Sequence, residues 1–156
     1  MIVYCLGKWY RNKSVLKEAL LKDKELRTCE YKRLVELVVK YILNNSQESD
    51  DCEWNASKIT EINDGDYEGT LLYVIPKECY QPEEYEYLMT FVSYGSCSGC
   101  DTLQGIQCYG RDDDVPIKDF MTLCRDIVSN IVKPFNTGWR NQKDFESVKM
   151  DENEDA

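Results

Sequence analysis

The stretch Tyr87-Leu88-Met89-Thr90-Phe91-Val92-Ser93-Tyr94, running into Gly95-Ser96-Cys97-Ser98-Gly99-Cys100-Asp101, decides how this chain is read. Its aromatic and β-branched content predicts a strand, and the glycines and serines after it predict a tight loop. Upstream, Thr70-Leu71-Leu72-Tyr73-Val74-Ile75 predicts another strand, entered through the turn Asp64-Gly65-Asp66 and stopped by Pro76. The loop from Cys79 to Glu86 between them has no room for a crossover helix, so the two strands are expected to pair antiparallel. Ile59 and Ile62 flank a polar Thr60-Glu61 pair, too short a pattern to assign. Ile106, Cys108 and Tyr109 read as a further short strand.

Working outward, the flanks are helical. Ser14 can cap a helix through Ala19, Leu20 and Leu21. From Glu30 to Leu43 the apolar positions Leu34, Val35, Leu37, Val38, Tyr41 and Ile42 recur at spacings of three and four, one broad stripe, and Asn44-Asn45-Ser46 ends it. After the sheet, Pro116 suits a first helical turn. Ile117, Phe120, Met121, Cys124, Ile127, Val128 and Ile131 then fall on one face, and Pro134 stops the run. Helices, then an antiparallel meander, then a helix imply an α+β fold, a small antiparallel sheet with helices packed on one side. Phe135, Trp139 and Phe145 are expected to close over the core. The chain reads as a single domain over 1–148 with an acidic disordered tail at 149–156.

At 156 residues and 42% apolar content the chain supports one well-buried core. No apolar run approaches the roughly 20 residues that span a bilayer, and Met1–Leu6 is too short for a signal-peptide core, so a cytoplasmic location is expected. There is no histidine, which removes the usual general base and the commonest nitrogen ligand for metals. A site must therefore be built from thiolates, carboxylates and backbone.

Eight cysteines are present, scattered rather than arranged as the dense disulfide framework of a small secreted domain. Cys97 and Cys100, two residues apart with Gly99 to turn the chain, have the spacing of a zinc half-site. Cys108 and Cys124 are the expected third and fourth ligands of a structural Zn²⁺, with Cys79 and Asp101 in reserve. Two other readings stay open for the pair: plain turn cysteines, and a redox dithiol. Against redox, Thr102-Leu103-Gln104-Gly105-Ile106 looks too short and too glycine-broken for the helix that activates such a thiol, and no Lys or Arg lies between Tyr87 and Gly110. Cys5, Cys29 and Cys52 each stand alone and read as small buried hydrophobes.

Net charge is −10 and unevenly spread. Residues 1–44 hold ten Lys/Arg against five Asp/Glu, and everything after is strongly acidic. Direct binding to nucleic-acid phosphates by that acidic part is disfavoured, whereas a partner protein with a basic surface suits it. Glu83, Glu84 and Glu86, with Asp112, Asp113 and Asp114, are the expected partner-binding residues. Gly-rich phosphate loops, nucleophile elbows and complete calcium loops are absent from the sequence, and no enzyme activity is expected.

The segments Glu68-Gly69-Thr70-Leu71, Ile75-Pro76-Lys77, Tyr80-Gln81-Pro82 and Tyr94 through Gln104, with its YGSCSGCDTLQ run, resemble a family of small proteins encoded by phages and prophages of Gram-positive bacteria. Acidity, size and the expected zinc are also similar to a zinc-containing type II anti-CRISPR protein. The resemblance implies a non-enzymatic inhibitor of a host defence nuclease in the bacterial cytoplasm. Such an inhibitor would cover a basic, nucleic-acid-handling face of an RNA-guided CRISPR effector with its acidic patches, without binding nucleic acid or membrane itself. The alternative is a thiol redox protein using Cys97 and Cys100.

Overall fold

A computed structural model describes residues 2–44, 53–83, 86–109 and 116–133. Its elements in chain order are α1 (Ile2–Lys22), α2 (Tyr31–Val38) continued by a π-helical turn (Val39–Leu43), β1 (Thr60–Gly65), β2 (Gly69–Pro76), β3 (Tyr87–Tyr94), α3 (Thr102–Tyr109) and α4 (Ile117–Ser129). The fold is α+β, as the order of patterns predicted.

The three strands form an antiparallel meander in the order β1-β2-β3. Tyr73 sits opposite Thr90 and Ile75 opposite Leu88. Because side chains alternate across a strand, Leu71, Tyr73 and Ile75 share one face with Leu88, Thr90 and Val92, and that face is the buried one. The opposite face leaves Ile62 and Phe91 exposed. Helix α4 meets the inner face, where the Thr90 hydroxyl donates to the carbonyl of Ile127 at 2.7 Å. Beyond α4 the chain lies along β3, Val132 and Met89 exchanging two backbone bonds of 2.8 Å.

The core is mostly helical. Cys5, Trp9, Leu16 and Leu20 of α1 form a buried stripe at spacings near multiples of 3.6. It faces the π turn and α4, while α2 adds Leu34, Val35, Leu37 and Val38, and α4 adds Phe120, Cys124, Ile127 and Val128. Each such aliphatic or aromatic side chain stabilises the fold by about 1.5–3 kcal/mol relative to exposure. Lys8 is drawn into this layer. Its ammonium donates to the carbonyl of Leu43 at 2.7 Å and lies over the Tyr4 ring, which offsets the cost of burial. Asn44 ends the second helix as expected, and its side chain donates to and accepts from the backbone of Trp54 at 2.8 and 2.7 Å.

Several expectations are corrected. Ser14 caps nothing: it is an exposed residue inside α1, which begins at Ile2 because Cys5, Leu6 and Trp9 extend the buried stripe toward the N-terminus. Thr60–Gly65 is a strand, formed by pairing with β2 rather than by burial, since all six residues are exposed. The supposed strand at Ile106–Tyr109 is part of α3. Helix α4 stops at Ser129, five residues before Pro134, with Asn130 at its C-cap. Phe135, Trp139, Phe145 and the acidic tail lie outside the described residues. No helix among the described residues is long and apolar enough to cross a membrane.

Candidate functional site: a dithiol at the entrance to a short helix

Strand β3 ends at Tyr94 and α3 begins at Thr102, so Cys97 and Cys100 occupy a seven-residue connection between a strand and a helix. Its shape is set by backbone bonds. The carbonyl of Cys97 accepts from the N–H of Cys100 at 3.0 Å and of Asp101 at 2.8 Å, a tight turn that holds both cysteines on the same side. The sulfurs are 3.3 Å apart and both residues are exposed.

Two glycines let the chain make this approach. At Gly95 an added Cβ would fall 2.5 Å from the carbonyl carbon of Cys100 and 2.6 Å from its Cβ, so no larger residue fits without displacing the second cysteine. Gly105, which in the sequence argues against a helix, sits where the carbonyl of Ser98 passes at 3.1 Å from the position of a Cβ. By contrast Gly99, expected to turn the chain, has no positive φ, and a Cβ there would meet only the Cys97 sulfur at 3.8 Å.

Asp101 organises the rest. It is 4% exposed and caps α3, its Oδ2 accepting from the N–H of Gln104 at 2.8 Å. Its Oδ1 accepts from the N–H of Gly95 at 3.0 Å and from the Tyr31 hydroxyl at 3.1 Å. One carboxylate thus ties both ends of the cysteine loop to each other and to the start of α2. Gln107 makes a second tie, its amide donating to the carbonyls of Leu26 and Cys29 at 2.8 and 2.9 Å.

The two thiols are electrostatically unequal. The Cys97 thiol is held below the ordinary cysteine range, first by the hydrogen bond from Cys100 and then by the N–H groups of Gly99 and Cys100. Cys100 is pushed up, chiefly because its proton is the one shared with Cys97. The thiols in the core behave oppositely. Burial raises Cys5 to about 11 and Cys124 to about 12, which keeps both protonated and inert.

The expected zinc site is overturned. Cys124 is fully buried on α4 and Cys108 is exposed on α3. Among the described residues, no group of three or more His, Cys, Asp or Glu side chains is placed to hold a metal ion. The reserves do not complete it either: Asp101 is committed to capping, and Cys79 lies exposed after β2. Of the expected partner-binding residues, Glu83 is exposed, whereas Glu86 is ion-paired with Lys77 at 2.8 Å, a contact that holds its carboxyl below the usual range. Glu84 and Asp112, Asp113 and Asp114 lie outside the described residues.

Sequence reasoning missed the roles of Asp101, Tyr31 and Gln107. One signal was available: Asp101 and Gln104 stand at capping-box spacing. Comparison of the chain with family models, with curated proteins and with solved structures finds no match.

Proposed function

We propose that the protein is a thiol–disulfide exchange protein, with Cys97 the attacking thiol and Cys100 the resolving one. The observation that carries this is the 3.3 Å contact between two exposed sulfurs of unequal acidity in a pinned turn. Closing that gap to a bond of about 2.05 Å needs little more than rotation of the two side chains. The helix after the pair, the element whose apparent lack weighed against this reading, is present as α3.

The chemistry runs in two steps. The Cys97 thiolate attacks one sulfur of a substrate disulfide, and the substrate's other sulfur leaves as a thiolate that takes a proton from water. Cys100 then loses its proton to solvent and attacks the Cys97 sulfur, releasing the first substrate sulfur as a thiol. The protein ends as the Cys97–Cys100 disulfide, two electrons having passed to the substrate, and a dithiol reductant restores it. Cys97 lies five residues before α3, so its activation comes from the Cys100 thiol and the turn amides rather than from a position on the helix itself.

Differential alkylation after exposure of the reduced protein to a disulfide tests this. A Cys97–Cys100 bond should appear, Cys100→Ser should trap a mixed disulfide on Cys97, and Cys97→Ser should trap none. Equal labelling of both thiols at all pH values, with no bond formed, would remove the reading.

A second reading, a non-enzymatic inhibitor that covers a basic, nucleic-acid-handling protein surface, is favoured by the exposed acids Glu61, Asp64, Asp66 and Glu68 on and beside β1. Reversing those four charges should abolish capture by such a surface at low salt and leave exchange chemistry intact. Capture that persists unchanged would sink it.

A further inference from the structure

Helix α3 is only eight residues long, and among its described side chains Leu103 is buried in the core while Ile106 packs against it half-buried. Its placement therefore depends on polar ties, and the one nearest the sulfurs runs through a residue some seventy positions away. The Tyr31 hydroxyl, at the first position of α2, donates to Asp101 at 3.1 Å and accepts from the N–H of Leu103 at 3.0 Å. One phenol thus serves both the capping carboxylate and an N–H of the helix's first turn. Tyr31 is 6% exposed, and burial pushes its hydroxyl up to about 12, so it keeps the proton it donates throughout the range in which cysteines titrate.

We infer that Tyr31 is a positioning residue for the dithiol, resting on the exchange reading above. It acts through Asp101. With the hydroxyl in place, Asp101 is held where it can also accept from Gly95 and Gln104, and the loop between those two amides has one shape. That shape aims the N–H groups of Gly99 and Cys100 at the Cys97 sulfur. Without it, the carboxylate loses a donor, the Leu103 amide loses an acceptor in a buried place, and the turn amides are freed to swing away from the sulfur. The consequence is less thiolate on Cys97 at neutral pH, with the fold intact.

The test is the pH profile of iodoacetamide labelling at Cys97, read peptide by peptide in the full chain. Tyr31→Phe keeps the ring and removes only the hydroxyl. It should move the midpoint upward and slow labelling at neutral pH about three- to tenfold, since a tenfold loss of thiolate follows each unit rise in thiol pKa. Gln107→Ala, which cuts the tie one turn further along, should leave the Cys97 profile where it is. A wild-type profile in Tyr31→Phe, or an equal shift in Gln107→Ala, overturns the inference. Should Tyr31→Phe fail to fold, Asp101→Asn reads the same link from its other end. Neutralising a nearby carboxylate would by itself lower the Cys97 midpoint, whereas a lost tie raises it, so a fall overturns the inference and a rise upholds it. Labelling of wild-type protein that never leads to disulfide exchange would defeat the exchange reading alone, because the effect of Tyr31 on the thiol is measured separately.

Discussion

The layer built from α1, α2 and α4 and the corner built from the cysteine loop and α3 are held together by different physics. In the layer, cohesion comes from apolar area: Trp9, Leu34, Ile42, Phe120 and Ile127 are all buried, with Lys8 and Asn12 adding bonds to the carbonyls of Leu43 and Ile42. In the corner, Leu103 is the buried apolar side chain among those described in α3, and hydrogen bonds set position instead: Asp101 and Tyr31 fix the cysteine loop, and Gln107 holds the far turn of α3 to the carbonyls of Leu26 and Cys29. Apolar burial is non-directional and supplies stability; hydrogen bonds add only about 0.5–1.5 kcal/mol net but fix geometry to a few tenths of an ångström. The same element type serves the two ends differently: cysteines in the layer are packing groups, and cysteines in the corner are reagents.

The contrast can be broken most forcefully from the layer side. Phe120→Ala empties a fully buried site between α4 and its neighbours and should cost about 3–5 kcal/mol, read as a drop in the denaturation midpoint with no change in the acidity of Cys97 in the folded protein. A shift in that acidity would mean that the corner borrows its geometry from the core.

A smaller effect should follow from pH. The thiols of Cys5 and Cys124 are raised from 9.0 to about 11 and about 12, so the neutral form is the one the fold favours. Their contribution is complete below pH 9 and is lost as pH rises, because the unfolded chain then releases protons that the folded chain retains. By pH 10 each withdraws about 1.4 kcal/mol, and thermal melts across pH 8–11 should show it. Cys124→Ala should flatten that slope while lowering stability at neutral pH.

The least disruptive change sharpens the corner. Gly99→Ala places a methyl in ordinary contact with the Cys97 sulfur and should alter stability by less than about 0.5 kcal/mol, with exchange chemistry retained. Gly95→Ala, four residues back along the loop, drives a methyl into the Cys100 backbone and should separate the sulfurs and end disulfide formation. Equal tolerance at the two positions would contradict the close approach on which the site depends.

What the sequence made legible follows the same division. Apolar periodicity reports burial, so the stripe of α2 and the runs of β2 and β3 are readable at nearly their true bounds, and that of α4 in its buried face but not in its end. Strand β1 was not, since Thr60-Glu61-Ile62-Asn63-Asp64-Gly65 carries no alternation and exists because β2 offers it a ladder. Helix α3 was hidden by Gly105, a residue chosen for the Ser98 carbonyl above it rather than for helix propensity. The zinc expectation failed for a related reason: spacing brings Cys97 to Cys100, but only tertiary packing decides where Cys108 and Cys124 go, and it sends one to solvent and the other into the core. Tyr31 left no trace at all. Its partners lie seventy residues on, and a tyrosine at the start of an apolar stripe reads as packing.

Strand β1 ends the sheet with an open row of backbone donors and acceptors on its outer side, among the described residues, and with Ile62 bare on its surface. Such an edge is a template onto which another chain can add a strand, and it is the feature of this fold most prone to self-association. Glu61 and Asp64, exposed along that strand, charge the template with one sign. Any second copy offering the same edge meets like charge, so the acids that leave β1 without a readable pattern also serve as its guard against aggregation.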